Sequence, residues 1–150
     1  MTFARRTLIQ GAAGVAALTL FRIPVVSAET TAEVEAALAG ILDGRSAIEE
    51  GITLEVPRLA ENGAQVPLTI RADSPMTEDD HVTAIHIIAT QNPAPGIGTF
   101  RLTPRLARAE VFTRIRVAEA QDVLVLAELS DGRVLQSATR IAVSIGGCAT

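Results

Sequence analysis

Residues 110–118 read EVFTRIRVA, and this stretch alternates between two kinds of side chain with a period of two. One face would carry Val111, Thr113, Ile115 and Val117, and the other would carry Phe112, Arg114 and Arg116. Because successive side chains of a strand point to opposite faces, this pattern predicts a β-strand with one buried face. The same pattern recurs along most of the chain, and it decides the fold class.

Further strands are predicted wherever β-branched residues run between turn signals. They are Ile52–Val56, Val66–Ala72, His81–Ala89, Phe100–Thr103, Val123–Leu129, a strand from Val134 onward, and Arg140–Ile145. Turn and loop residues separate them at Asn62-Gly63, Asp73-Ser74-Pro75, Asn92–Gly96 and Ser130-Asp131-Gly132. About seven short strands at this spacing predict an immunoglobulin-like antiparallel β-sandwich.

One short α-helix precedes the strands. Thr30-Thr31 can cap a helix over Ala32–Leu42, which Asp43-Gly44 would end. Its apolar residues recur at spacings of three and four, so one stripe would dock on the sandwich. The chain is thus predicted to be mainly β with a short N-terminal α-helix.

The composition is that of one globular domain. The chain has 150 residues, of which 48% are hydrophobic and 20% are charged. It contains four Phe and no Trp or Tyr, so the core is predicted to consist of aliphatic side chains.

The N-terminus has the pattern of an export signal. Arg5 and Arg6 precede an apolar stretch at 11–21, which is shorter than the roughly 20 residues that span a bilayer. A small-residue site predicts cleavage between Ala28 and Glu29. The paired arginines are typical of a twin-arginine signal over residues 1–28, which predicts a periplasmic protein without membrane insertion after cleavage.

The net charge of the mature chain limits the classes of partner that it could bind. Removing residues 1–28 takes away three of the 13 basic residues and no acidic one, which leaves 10 basic and 17 acidic residues, net −7. This balance argues against nucleic acid as a partner. Since the twin-arginine route carries folded proteins, a partner bound before export is one reason for using it.

The candidate binding clusters are weak. His81 and His86 are five residues apart in a predicted strand, so they would face opposite sides and share no metal. The acidic run Glu78-Asp79-Asp80 lacks the spacing of a calcium loop and is read as a solvated turn. Neither a metal site, a cofactor site nor an autonomous active site is predicted. Five arginines lie close in sequence and predict either a charged sheet face or an anion- or partner-binding surface: Arg101, Arg105, Arg108, Arg114 and Arg116.

The single cysteine, Cys148, stands near the end of the chain. Gly146 and Gly147 precede it and Ala149 and Thr150 follow it. Two glycines have wide backbone freedom, and chain ends are usually exposed, so residues 146–150 are predicted to form a flexible arm. Three residues past the last predicted strand, the thiol would reach roughly 10 Å beyond the sandwich.

A lone thiol suits a covalent carrier. Thiolates form mixed disulfides and persulfides, and a neighbouring thiol would release such a cargo by exchange. Because no second cysteine is present, a sulfur-linked cargo on Cys148 would persist until another enzyme acts on it.

Four segments together resemble the SoxY family, the sulfur-carrier subunits of the periplasmic Sox thiosulfate-oxidation system. They are Val56–Pro67, Asn92–Pro95, the stretch Thr113–Ala118 with Gln121–Val123, and Arg140–Cys148 with its Gly-Gly-Cys ending. The resemblance covers essentially the whole chain. It implies a non-catalytic carrier that holds thiosulfonate and persulfide intermediates on Cys148, in a heterodimer with a SoxZ-like subunit.

The resemblance also implies the transient partners. A SoxAX-type haem enzyme would load thiosulfate on the cysteine, and a SoxB-type hydrolase would release sulfate. A sulfane dehydrogenase, or another sulfur-accepting route, would process the remaining sulfur. The usual family ending is Gly-Gly-Cys-Gly-Gly, whereas Ala149 and Thr150 follow the cysteine here. Since Thr150 is β-branched and stiffer, this departure puts efficient entry into narrow enzyme channels in doubt.

The predicted organisation is a signal peptide at 1–28, a sandwich domain at 29–145 and an arm at 146–150. Two other functions remain open at this point. A single-cysteine peroxidase or sulfurtransferase would turn over alone, and an immunoglobulin-like binding module would not need Cys148.

Overall fold

The computed structural model describes residues 32–144. They form one helix, nine strands and two sheets. The elements are α1 (Ala32–Leu42), β1 (Ala47–Ile48), β2 (Ile52–Glu55), β3 (Leu59–Ala60), β4 (Val66–Ala72), β5 (Val82–Ala89), β6 (Gly96–Arg101), β7 (Ala109–Ile115), β8 (Gln121–Leu129) and β9 (Val134–Val143).

The larger sheet is built on β9 and β8. Its order is β1-β9-β8-β5-β6, and β3 pairs with β9 beyond the end of β1. The long pairs are antiparallel, while β1 and β3 each add two residues parallel to β9. The smaller sheet, β2-β4-β7, is antiparallel throughout. The predicted mainly β sandwich with a short N-terminal helix is confirmed.

Most of the stretch that predicted the fold forms β7, but the strand ends at Ile115, so residues 116–118 lie in the β7–β8 connection. Val111 and Ile115 are buried between the sheets, while Phe112 and Arg114 are exposed on the opposite face. The inner face of β4 contributes the fully buried Leu68 and Ile70. Alternation in these strands therefore reports which side of the sheet meets the core, as period-two patterns do.

The core between the sheets is aliphatic, as the composition predicted. Its largest fully buried side chains include Leu68, Ile70, Ile85, Ile87, Ile115 and Ile141. Phe100 is only half-buried at its edge, and Phe112 is 67% exposed. Burying such side chains stabilises the fold by roughly 1.5–3 kcal/mol each.

Helix α1 lies on the outer face of the larger sheet. Val34 packs with Ile88, Leu126 and Val134 in a second apolar cluster, to which the rest of the predicted stripe contributes. The helix ends where Asp43 and Gly44 adopt positive φ angles of 47° and 78°. The predicted bounds and docking of the helix are confirmed.

A polar network fastens the C-terminal end of α1. Arg45 donates to the carbonyl oxygens of Leu42 and Ile41, and its guanidinium lies 2.7 Å from Glu128 Oε2. His86 Nε2 lies 2.8 Å from Glu128 Oε1. Partial burial by itself raises the pKa of Glu128, but the hydrogen bonds and charges of Arg45 and His86 outweigh burial and lower that pKa below its ordinary value.

Two strand predictions need correction. The strand predicted at Phe100–Thr103 begins earlier, at Gly96, and ends at Arg101, because β6 pairs with β5 from Gly96 to Arg101, with a bulge at Ile97. The strand predicted at Arg140–Ile145 is the second half of β9, which runs unbroken from Val134 to Val143 along β8. In both cases long-range pairing overrides the local residue preferences on which the prediction rested.

The two ends of the sandwich carry different connections between strands. The arm end is where β9 finishes, beside the Asn62-Gly63 turn, the β5–β6 connection and the β7–β8 connection. The far end holds the β8–β9 turn and the β6–β7 connection. Seven residues of β7 separate the two ends by roughly 20 Å.

Candidate functional site at the root of the C-terminal arm

The thiol predicted to carry the cargo lies outside the described residues. Cys148 follows the last described residue, Ser144, by four positions. The arm residues Gly146, Gly147, Ala149 and Thr150 also lie outside them, as do the signal and cleavage residues Arg5, Arg6, Ala28 and Glu29. The structure instead defines the place from which the predicted arm leaves the sandwich.

Strand β3 holds the last residues of β9. The amide of Ala142 donates to Arg58 O at 2.9 Å, and the amide of Ser144 donates to Ala60 O at 3.0 Å. The parallel register pairs Leu59 with Ala142, one position before the end of β9. Backbone hydrogen bonds therefore fix the chain up to Ser144, four residues before the thiol.

Gly63 packs against the end of β9, next to Val143. Its carbonyl accepts a hydrogen bond from Val117 N at 2.7 Å. A Cβ at position 63 would lie 2.4 Å from Val117 O and 3.1 Å from Val143 Cγ1, so the position has no room for a side chain. The predicted Asn62-Gly63 turn is present, with Ala64 N donating to Asn62 Oδ1 at 2.9 Å, but it links the two sheets and is not a hairpin.

Asn92 joins the two other connections at the arm end. Its Nδ2 donates to Arg116 O at 2.8 Å, and its Oδ1 accepts from Ala118 N at 2.9 Å. The same oxygen accepts from Gln121 Nε2 at 2.9 Å, and Gln121 Oε1 accepts from Gln91 N at 2.7 Å. Gln121 is buried, so these bonds satisfy side-chain groups that burial would otherwise leave unpaired.

The stretches that carried the family resemblance converge here. The Val56–Pro67 segment supplies β3 and Gly63, the Asn92–Pro95 segment supplies Asn92, and Thr113–Val123 supplies Val117 and Gln121. Sequence reasoning used these residues as markers and missed their common role. An asparagine before a proline and a glutamine at the start of an apolar strand were the available signals.

The surface beside Ser144 is partly cationic. Arg140 is exposed, and its NH1 lies 3.5 Å from Oδ1 of the buried Asp122. Arg58, whose carbonyl accepts from Ala142 N, is exposed, and so is Glu61 beside Ala60. Arg116 and Glu119 are exposed in the β7–β8 connection. Leu59, in the strand that pairs with the end of β9, is a large apolar side chain that is 58% exposed.

The two histidines have unrelated environments. His81 Nδ1 lies 3.0 Å from Thr77 O in the β4–β5 connection, whereas His86 contacts Glu128 and Thr99. Among residues 32–144, no three His, Cys, Asp or Glu side chains form a group that could hold a metal ion. In the same range, no helix is long and apolar enough to cross a membrane.

The remaining sequence clusters lie away from the arm end or are dispersed. Thr77 N donates to Asp80 O and Asp80 N donates to Thr77 Oγ1, so the acidic run forms a turn. Glu78 and Asp79 are exposed, as predicted, whereas Asp80 is half-buried and its Oδ1 has no hydrogen-bond partner. The five-arginine cluster is not a single patch. Arg101, Arg105 and Arg108 lie toward or within the far end, whereas Arg114 and Arg116 approach the arm end on the other sheet.

Solved structures show the same fold. The sulfur carrier protein SoxY from Chlorobium limicola f thiosulfatophilum is 27% identical, covers 75% of this chain and 97% of its own, and superposes with a TM-score of 0.59. A superoxide reductase (neelaredoxin) from Ignicoccus hospitalis is 11% identical, covers 63% of this chain and 81% of its own, and gives a TM-score of 0.57. A putative superoxide reductase from Thermotoga maritima is 13% identical over 65% of this chain and 88% of its own, with a TM-score of 0.55. The two reductases show likeness of fold alone.

Comparison of the sequence with family models distinguishes the SoxY relative from the two reductases. No curated protein sequence matches the chain significantly. The family model of the sulfur oxidation protein SoxY, however, matches residues 38–148. That match contains the sandwich, every residue of the arm root described above and the cysteine itself. The chain therefore belongs to the SoxY family of sulfur oxidation proteins.

Proposed function

We propose that this protein is a periplasmic covalent carrier in thiosulfate oxidation, and that Cys148 holds the cargo. The observation that carries the proposal is that the SoxY match extends to residue 148, where the sequence has its one cysteine. The solved relative that is 27% identical is a sulfur carrier protein, which supports the same role. The fixed root at Ser144 supports it further, since a carrier arm needs a firm attachment.

The chemistry on the thiol would begin with loading and hydrolysis. In loading, the thiolate and thiosulfate form one S–S bond and release two electrons, which a SoxAX-type haem enzyme accepts. In hydrolysis, water cleaves the terminal S–S bond of the thiosulfonate under a SoxB-type enzyme. The products are a cysteine persulfide, sulfate and two protons. A sulfane dehydrogenase would then take six electrons from the outer persulfide sulfur, with three water molecules supplying the oxygen and six protons released, to give a cysteine S-sulfonate. A second hydrolysis by the SoxB-type enzyme would cleave the remaining S–S bond and return the thiol, with sulfate and one proton as the other products.

The chain is proposed to present the cargo and not to transform it. A nucleophilic cysteine is usually activated by a basic neighbour or a helix N-terminus. Cys148 has Gly146, Gly147, Ala149 and Thr150 around it in sequence, none of which is basic. Activation would therefore come from the enzymes that admit the arm.

We propose that the heterodimer with the SoxZ-like subunit forms in the cytoplasm, before export. A twin-arginine signal with Arg5 and Arg6 would carry the folded chain to the periplasm together with a SoxZ-like subunit that lacks a signal. Replacing both arginines should then leave both subunits in the cytoplasm, as measured by fractionation. Export of the partner without this chain would contradict co-export.

Reconstitution with Cys148→Ser tests the carrier role. The purified complex, the haem enzyme and the hydrolase should release sulfate from thiosulfate with the wild-type chain and lose that release with the variant. The wild-type complex alone should show no turnover. Undiminished sulfate release by the variant would favour a binding module, and turnover by the complex alone would favour a thiol enzyme.

A further inference from the structure

Large apolar side chains are exposed at three places within residues 32–144. They are Leu59 at 58%, Leu106 at 43% and Phe112 at 67% exposure. Leu106 lies in the β6–β7 connection at the far end, and Phe112 lies on the outer face of the smaller sheet. Only Leu59 belongs to the strand that holds the arm root, one residue from the carbonyl that binds Ser144 N.

Leu59 is part of a small outward-facing surface. Paired residues of neighbouring strands share a face, so Leu59 lies on the same side as its register partner Ala142. Arg140, two residues earlier in β9, shares that side and is exposed. Its side chain is only loosely engaged, at 3.5 Å from Asp122. We call Leu59, Ala142 and Arg140 the root surface.

The short length of chain between Ser144 and Cys148 determines how close an enzyme that binds the thiol must come to the root surface. Cys148 follows Ser144 by four positions, and four residue-to-residue steps span at most about 14 Å when fully extended. An enzyme that takes the thiol into a cleft uses up part of that length inside the cleft. The rim of the cleft must therefore lie against the arm end, where Leu59 is the exposed large apolar side chain beside the end of β9.

We propose that the root surface is the docking site for the active-site rim of the enzymes that act on the Cys148 cargo. This inference rests on the proposed carrier function. The matching rim would have an apolar depression for Leu59 and a carboxylate for the Arg140 guanidinium. A desolvated apolar anchor with an arginine beside it is the composition in which binding energy concentrates at protein interfaces.

Two leucine substitutions test the docking site. The heterodimer with the SoxZ-like subunit is prepared with wild-type chain, Leu59→Ser or Leu106→Ser, and loaded with thiosulfonate on Cys148. Sulfate release by the hydrolase is then measured. Leu59→Ser should lower kcat/KM about tenfold, mostly through a higher KM, as expected when burial of one leucine side chain is lost. Leu106→Ser should stay within about twofold of wild type.

Three further measurements distinguish a failure of the docking site from a failure of the carrier function or a change in the thiol. Binding of the hydrolase to the unloaded heterodimer needs no cargo, so it decides docking even if the carrier function fails. Iodoacetamide should alkylate Cys148 at equal rates in all three proteins, because Leu59→Ser does not alter the thiol. Arg140→Gln should weaken the salt dependence of kcat/KM, since one rim charge pair is removed.

Two results would overturn the docking site. One is equal kcat/KM and equal hydrolase binding for the Leu59→Ser and Leu106→Ser proteins. The other is a loss of affinity for the SoxZ-like subunit on Leu59→Ser that matches the loss in kcat/KM, because the surface would then belong to the subunit interface.

Discussion

Replacing Gly63 by alanine should loosen the root of the arm and destabilise the sandwich. The added Cβ would lie 2.4 Å from the Val117 carbonyl oxygen, a backbone atom, and 3.1 Å from Val143 Cγ1. Relief requires a movement of roughly 1 Å by backbone on one side of the contact, at the cost of about 1–3 kcal/mol that overpacking carries. The same movement stretches the 2.7 Å hydrogen bond from Val117 N to Gly63 O, worth about 1 kcal/mol.

The expected loss of unfolding free energy is therefore about 2–4 kcal/mol. Urea unfolding of the purified chain measures it. With a slope of about 1.5 kcal/mol per molar urea, the midpoint should fall by roughly 2 M. Amide exchange at Ala142 and Ser144 should accelerate as well, because β9 loses its packing at Val143 and their hydrogen bonds to β3 open more often.

Gly98→Ala is the matched control. Gly98 lies in β6, where an added Cβ has no atom within 4 Å. The two substitutions remove the same backbone freedom from the unfolded chain, so their difference reports the steric conflict. Gly98→Ala should change stability by less than about 1 kcal/mol. Equal midpoints for the two variants would refute the close approach at Gly63.

Three other substitutions address separate parts of the account. Asn92→Ala should cost about 2–3 kcal/mol in urea unfolding, since it removes three hydrogen bonds: those that join Asn92 to Arg116 O and Ala118 N, and one of the two that the buried Gln121 Nε2 donates. A cost below about 0.5 kcal/mol would contradict the bridging role. Glu128→Gln should cost about 1 kcal/mol of unfolding free energy at neutral pH and nothing in acid. Because folding lowers the pKa of Glu128, its charge stabilises the fold above the unfolded pKa, and this stabilisation is lost as the pH falls through the folded pKa. A cost that does not change with pH would refute this role of the Glu128 charge. Replacing Ala149 and Thr150 by glycines should raise kcat/KM of the hydrolase by roughly twofold to fivefold through easier entry of the arm, and a lower value would show that these residues suit their partners.

Periodic segments were predictable from the sequence because their burial follows local patterns. Val66–Ala72 and Ala32–Leu42 have the predicted bounds, since one strand face and one helix stripe each meet the core. The role of Cys148 as a candidate also came from the sequence, through its uniqueness and its distance from the predicted strands.

The arm root was not predictable in the same way. Strand β3 has two residues and follows a proline, so no local signal separates it from a loop. It forms because the end of β9 offers unpaired backbone groups. The convergence of Gly63, Asn92 and Gln121 likewise depends on three connections that only the completed sandwich brings together.

The most direct test of the account is the mass of the C-terminal peptide from cells that are oxidising thiosulfate. The protein is trapped by rapid acid quenching and alkylation of free thiols, then measured intact and after digestion. Adducts of about +32 Da for sulfane sulfur and about +112 Da for thiosulfonate should appear on the peptide that contains Cys148, and should vanish in Cys148→Ser. A fully alkylated, unmodified Cys148 in cells that are producing sulfate would contradict the carrier role.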